Sequence, residues 1–342
     1  MPSSAWTDAV VVIISGDGSD RQAGRGKAFV GGVGGPTTDN VVAVVVMLQP
    51  ESDVVEHLQS LAGRVLRIVA IDNGSGPAAD SILSTISQLP AVELIRNPVN
   101  TGIAHALNQG AQVALDSGAD WLLTLDQDAA PGPEIVGIAG RTFDAYPEPE
   151  RIAVIGSTSY AALARPAGGA SPTQPWIEAR TVITSGSFVS MAAFRAIGAF
   201  STNLFVDYVD IEFCLRARTK GYRVVSSQTP GMIHRIGQPT LRWMGTRAVT
   251  PTNHSAARRY YITRNRFIVW RRYCRADPGF VVGDILASQR ELLKLVLFEK
   301  RRVEKLRAML AGLIDGTRGV TGPRKPPSAR PTPAAGRGRT RS

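Results

Sequence analysis

Along the middle of the chain, short apolar runs alternate with stretches whose apolar residues recur at helical spacing. Asn40 to Leu48 is a nearly unbroken Val-rich run closed by Gln49 and Pro50, and Ser52 to Leu61 repeats its apolar positions every three or four residues. This predicts a buried strand, a turn and an amphipathic helix. The unit recurs. Arg67 to Ile71 is apolar and ends in Asp72-Asn73-Gly74-Ser75-Gly76-Pro77, with helical spacing over 78–89. Ala91 to Ile95 leads through a turn to a helix over Ile103 to Ser117. Trp121 to Leu125 is a fourth run, stopped by Asp126-Gln127-Asp128 and the Pro- and Gly-containing segment that follows. Strands alternating with helices on this spacing predict an α/β fold built on a parallel, doubly wound sheet. Ligands of such sheets lie beyond the carboxyl ends of the strands, which gathers Gln49, Asp72, Asn100 and Asp126 at one edge.

Two acidic clusters carry the candidate chemistry. Asp126-Gln127-Asp128 sets alternate carboxylates on an extended segment, an oxygen donor set suited to a hard divalent ion that also binds substrate phosphates. A solvated turn accounts for the same residues. Asp207, Asp210 and Glu212 precede the helical-looking Phe213 to Lys220. Crowded carboxylates raise one another's pKa, as a general base requires, and capping of the helix is the alternative reading. Between the clusters, Val182 to Ser190 reads as a strand with a polar turn at Ser185 to Ser187, which either offers polar contacts to a ligand or permits close packing. His234 stands alone in an apolar stretch and by itself reads as a packed core residue.

Val41 to Pro50, Ile71 to Ser75, Asn100 to Gly110, Leu125 to Asp128, Phe205 to Arg218, Gly221-Tyr222 and Met232 to Gly237 resemble, in that order, the family 2 glycosyltransferases of the GT-A fold. Within them the likeness is greatest to bacterial rhamnosyltransferases, which write the metal motif Asp-Gln-Asp. The resemblance covers Asn40 to Tyr273. It implies a Rossmann-like, mostly parallel central sheet with flanking helices, and inverting transfer from a nucleotide sugar such as dTDP-rhamnose to a lipid-linked glycan or glycolipid of the cell envelope. It further implies that Asp126 faces the ribose, that Asp126 and Asp128 hold Mg²⁺ or Mn²⁺ with His234 completing the site, and that Asp210 is the base. Leu48, Gln49, Asp72, Asn100, Gly102 and Asn108 would line the donor pocket. Arg264, in an Arg-Asn element, would reach the diphosphate, although a plain basic helix face reads equally from the same residues. Where relatives carry Thr-Tyr-Asn before the Pro, this chain has Met47-Leu48-Gln49. Polar and aromatic contacts to the base are thereby lost in part, while Leu48 still offers a base an apolar surface.

Charge changes the picture mainly beyond residue 275. Asp284 to Ile314 reads as one long amphipathic helix, with Leu292, Leu295, Val296, Val303, Leu306, Leu310 and Leu313 on its apolar side and Lys294, Lys300, Arg301, Arg302, Lys305 and Arg307 along it. After Asp315 come Arg318, Arg324, Lys325, Arg330, Arg337, Arg339 and Arg341 with no acidic residue, and the formal net charge is +11. The expected layout is a segment 1–38 without a clear fold signature, a catalytic domain 39–275, a helical extension 276–315 and a disordered basic tail 316–342. A basic amphipathic helix with a basic tail suits anionic lipid headgroups, and a helix packed on the domain with a solvated basic face suits the same pattern.

Nothing of the length needed to span a bilayer is present, and Val10 to Ile14 is too short for a signal-peptide core, so the expected location is the cytoplasm, peripheral to the inner face of the plasma membrane. Cys214 and Cys274 are the only cysteines, in no metal-type spacing. Gly16-Asp17-Gly18 lacks the third glycine of a dinucleotide fingerprint, and Gly26-Lys27 lacks the remainder of a phosphate-binding loop. Two rivals remain at this level: a nucleic-acid binder, from the pI near 10.2, disfavoured because the charge is concentrated in the tail, and a degenerate transferase serving as a scaffold, from Met47-Leu48-Gln49.

Overall fold

The computed structural model describes residues 34–159, 174–234, 242–244, 247–249 and 253–324. Most of the N-terminal segment and the basic tail beyond residue 324 lie outside the described residues. Gly34 and Gly35 are tied to the sheet, since their carbonyl oxygens accept from the Trp121 indole (2.8 Å) and from Asn40 Nδ2 (3.0 Å).

The repeating units form as the spacing predicts. β1 (Val41–Met47), α1 (Asp53–Leu61), β2 (Arg67–Asp72), α2 (Asp80–Ser87), β3 (Val92–Arg96), α3 (Ile103–Asp116) and β4 (Trp121–Asp126) follow one another. The strands pair in parallel in the order β3-β2-β1-β4. All seven residues of β1 are buried, because it has a strand on each edge and a core on each face. Val42, Val44 and Val46 pack in one core with α3, and Val41, Ala43, Val45 and Met47 in the other with α1 and α2. This alternation is the period of two that a strand imposes. Register aligns Met47 with Asp72 and Val46 with Asp126, so three strands end together at the point where strand order reverses.

The second half of the sheet is mixed. After β5 (Ala129–Pro131) and α4 (Ile135–Asp144), β6 (Ile152–Ser159), β7 (Trp176–Glu178), β8 (Ser187–Ser190) and β9 (Arg223–His234) extend it. β8 runs antiparallel to β4 and β6, β9 is parallel to β6, and β5 and β7 run antiparallel to β9. The helices α5 (Met191–Ile197) and α6 (Val209–Thr219) cover the α3 face, and β10 (Arg242–Met244) and β11 (Arg247–Val249) form a separate ribbon.

The long helix expected over 284–314 is instead two. α7 (Ala256–Tyr273) is followed by α8 (Pro278–Phe298) and α9 (Arg302–Thr317). The break is tertiary in origin. Glu299 leaves the helix to bury its carboxylate between Arg259 Nη2 at 2.6 Å and Lys305 Nζ at 2.7 Å, and Arg301 turns the chain with φ 53°. Lys305, expected along the basic surface, is buried in this ion cluster.

Candidate active site

The site grows from the ends of β1, β2 and β4. Asp126 is half-buried at the last position of β4, its N–H donating to Ser185 Oγ at 3.2 Å, while Asp128 is exposed. Gln127, between them, ties two strand ends together: its Oε1 accepts from the Leu48 N–H at 2.8 Å and its carbonyl oxygen meets His57 Nδ1 at 3.2 Å. Leu48 and Gln49 are exposed beside this turn, and the Gln49 N–H donates to Ser75 Oγ at 2.8 Å.

Asp210 opens α6, on an element remote in sequence. Its Oδ2 accepts from the Thr184 N–H at 2.9 Å and from Thr184 Oγ1 at 3.2 Å, and its Oδ1 accepts from the Ile211 N–H at 2.8 Å. The consecutive residues Thr184 and Ser185 therefore hold Asp210 and the end of β4 from one loop. The polar turn of the sequence is thus a bracket between the two acidic clusters. Ser187 turns inward, donating to the Ile183 carbonyl oxygen at 2.5 Å.

The approach to α6 is unusual backbone. Phe205, Asp207 and Tyr208 all have left-handed φ, between 58° and 66°, a conformation that costs non-glycine residues energy and persists only where the surroundings enforce it. Here the enforcing group is Asn265, whose Nδ2 lies 2.8, 2.6 and 3.0 Å from the carbonyl oxygens of Leu204, Val206 and Asp207. Tyr208 is fixed through its hydroxyl to Asp284 at 2.7 Å. Asp207, which stands before the helix, pairs with Arg258 Nη2 at 2.9 Å.

Electrostatics mark the same place. Burial, then the charges of Asp128, Asp210 and Asp207, push the Asp126 carboxyl up to about 7, against the opposing field of Arg258. Burial likewise raises the Asp210 pKa, offset by the hydrogen bonds from Ile211 and Thr184.

Several expected donor contacts are held in the fold instead. Asp72 is 1% exposed, accepting from the Ser75 N–H at 3.0 Å with Arg96 Nε 3.5 Å away, so it closes its own turn at the cleft edge. Asn100 Oδ1 accepts from the Gly102 N–H at 2.9 Å and from Asn73 Nδ2 at 3.3 Å, although the residue remains exposed. The Asn108 amide is committed at both ends to the backbone of Phe200, at 2.9 Å each way, and pins α3 to the loop after α5. Arg264 is fully buried. Its guanidinium binds the carbonyl oxygens of Leu204 and Gly322 and Asn265 Oδ1, so it braces the loop before α6 and does not reach the cleft. The basic group that does act on the carboxylates is Arg258, whose half-exposed side chain is favoured by Asp207 and also by Asp126 and Asp210.

Gly102 has φ 88°, and a Cβ there would lie 2.5 Å from the Phe205 carbonyl oxygen, which accepts from the Ile103 N–H at 2.8 Å. Gly102→Ala is expected to displace the loop carrying Asp207 and Asp210. It should lower the melting temperature, by an amount corresponding to about 1–3 kcal/mol for the strained backbone, and reduce turnover beyond that loss. Unchanged values of both would show that the loop tolerates the displacement.

The backbone of His234 pairs with Ala129, beside the acidic turn; its side chain lies outside the described residues. Among the described residues, no group of three or more His, Cys, Asp or Glu side chains is disposed to hold a metal ion. No described helix is long and apolar enough to cross a membrane.

The family model described as Glycosyl transferase family 2 matches residues 42–151. The chain is similar to the dTDP-rhamnosyl transferase RfbF of Shigella flexneri, 26% identical over 301 residues, which cover 83% of this chain and 97% of that protein. Among solved structures, S. aureus TarS 1–349 aligns with a TM-score of 0.52 and 13% identity over 81% of this chain and 80% of that one. The same fragment in complex with UDP-GlcNAc aligns with a TM-score of 0.50 and 15% identity over 82% and 81%. The chain spans 49% of the longer TarS chain, and at these identities the likeness is one of fold. Since the family match falls on the strands that end in Asp72 and Asp126, and the sheet is shared with TarS, the chain is a glycosyltransferase with a family 2 domain on a GT-A fold, rhamnosyltransferase-like in sequence.

Proposed function

We propose that the protein transfers rhamnose from dTDP-rhamnose, with inversion, to a hydroxyl of a lipid-linked glycan or glycolipid at the cytoplasmic face of the cell envelope. The donor follows the similarity to RfbF. The observation that carries the reading is the Thr184–Ser185 bracket, which brings Asp210 beside the end of β4.

In this reading Asp210 takes the proton of the acceptor hydroxyl. The oxygen bonds to the anomeric carbon from the face opposite the diphosphate, and the bond from that carbon to the phosphate oxygen breaks. Thr184 and Ile211 hold both carboxyl oxygens and so aim the base. Leu48, exposed at the end of β1, offers the nucleotide base an apolar surface, with Gln49 beside it; Asp72 and Asn100 shape the pocket edge by holding their turns, and Arg258 supplies positive charge near the leaving group.

The residues present fit a hard divalent cation. Asp126 and Asp128 offer oxygen donors, and burial first, then the charges of Asp128, Asp210 and Asp207, raise the Asp126 pKa to about 7 despite Arg258, so a bound cation would stabilise its charged form. Mg²⁺ or Mn²⁺ held by Asp126 and Asp128, with His234 as the proposed third ligand, would stabilise the charge that develops on the diphosphate.

A panel of nucleotide sugars tests the proposal. dTDP-rhamnose is expected to be cleaved preferentially and only with a divalent cation present, and calorimetry should show metal-dependent uptake of dTDP. Absence of that uptake would remove the donor assignment; preferential cleavage of another sugar would remove rhamnose alone.

A further inference from the structure

We infer that the outward face of α9, together with the corner joining it to α8, is a docking surface for an anionic lipid bilayer. An amphipathic helix normally packs its large apolar residues inward. In α9 the arrangement is reversed. The face laid on α7 carries Lys305, Ala308, Gly312 and Gly316, all buried. A Cβ at Gly312 would stand 2.4 Å from the Tyr260 carbonyl oxygen, and one at Gly316 2.9 Å from that of Arg264. Small residues here let two helices approach closely, and the bulky residues are left over.

Those residues are Val303, Leu310, Leu313 and Ile314, which are 59%, 58%, 40% and 40% exposed. At about 3.6 residues per turn they fall within an arc of about 100°, opposite the glycines. Arg302 and Arg307 border that arc on either side by the same spacing. α8 repeats the pattern: Phe280, Asp284 and Leu295 face the protein, while Val282, Leu286, Leu293 and Leu297 are each more than half exposed on the other side.

Charge selects the occupant. At the corner, Arg301, Arg302, Val303, Glu304 and Arg307 line an open cleft of about 520 Å³, and the sequence after Asp315 adds seven Arg and Lys residues with no acidic one. A second copy seated on this face would bring like charges together in a chain of formal charge +11. A bilayer of anionic lipid satisfies both features, with acyl chains for the valine and leucines and phosphates for the arginines. Docking requires no turnover and stands apart from the transfer reaction.

Vesicle co-sedimentation of the whole chain, with phosphatidylcholine alone and with added phosphatidylglycerol, tests this surface. Binding is expected only to the anionic vesicles and should weaken with salt. Val303→Asp with Leu310→Asp should reduce the bound fraction at least about tenfold, as should Arg302→Glu with Arg307→Glu, with melting temperatures retained. A third variant, with Arg330, Arg337, Arg339 and Arg341 changed to Gln, separates the tail from the helix. Absent anionic binding would overturn the inference. So would binding that survives both helix variants and disappears in the tail variant, or a dimer in sedimentation velocity that Leu310→Asp dissociates without any vesicle binding.

Discussion

Asp210→Asn is expected to reduce sugar transfer by about 10³-fold, within the range general bases contribute, while donor affinity changes by less than about tenfold. The asymmetry follows from position. Asp210 is anchored to the Thr184 loop and its own helix start, not to the strand ends proposed to hold the nucleotide. The amide is nearly isosteric but cannot take a proton. It also has one acceptor where the carboxylate has two, so whichever way it turns, either the Thr184 or the Ile211 N–H faces another donor. The pH dependence separates base chemistry from this lost anchoring. Burial raises the Asp210 pKa, so the group becomes protonated and inactive as pH falls through a value above the ordinary carboxylate range. The acid limb of kcat/KM should lie correspondingly high, and the residual activity of the Asn variant should lack it. Transfer at the wild-type rate in Asp210→Asn would end the assignment.

The first half of the fold was legible because its signals are local. Each apolar run, from Val41 to Leu125, is short enough to be a strand and is followed by a turn sequence, and β1 reads as buried because valines occupy both faces. The mixed second half was less so, since β6 and β9 acquire their direction from partners far along the chain. The break after α8 left no local trace. Glu299 interrupts a well-patterned helix only because Arg259, about forty residues earlier, and Lys305 take its charge.

Within the site, residue types were readable and orientations were not. Arg258 and Arg264 lie on one helix six residues apart, or about 240° around its axis, so only the rotation of α7 decides which one meets the carboxylates. Arg264 is the one turned inward, under Tyr260 and Tyr261. Asn108 carries no sequence signal for its link to Phe200, which closes across 92 positions. Gln127 had a weak one: a polar residue inside the acidic turn, beside the strand end where Met47-Leu48-Gln49 stands in place of Thr-Tyr-Asn. Thr184 and Ser185 were visible only as a small polar turn, and their function as a bracket appears when β8 pairs with β4.

Asp128→Ala should behave unlike the Asp210 variant, lowering donor affinity and transfer together. Removing it takes an oxygen from the proposed cation set, and a loss of at least about tenfold in metal-dependent dTDP binding is expected, since even outer-shell partners of bound metals contribute that much. The pH response runs in a defined direction. In the metal-free protein the Asp126 carboxyl titrates near 7, owing first to burial and next to the charge of Asp128. A cation must therefore displace a proton, and wild-type metal affinity should fall as pH drops below about 7. Without Asp128 the repulsion on Asp126 is relieved and its pKa drops, so the pH dependence of any remaining binding should move to lower pH even as affinity is lost. Calorimetric titration of dTDP with Mg²⁺ on either side of neutrality measures both effects. Unchanged metal-dependent binding in Asp128→Ala would place the cation elsewhere, whereas lost affinity with an unmoved pH midpoint would show that Asp128 binds without coupling to Asp126.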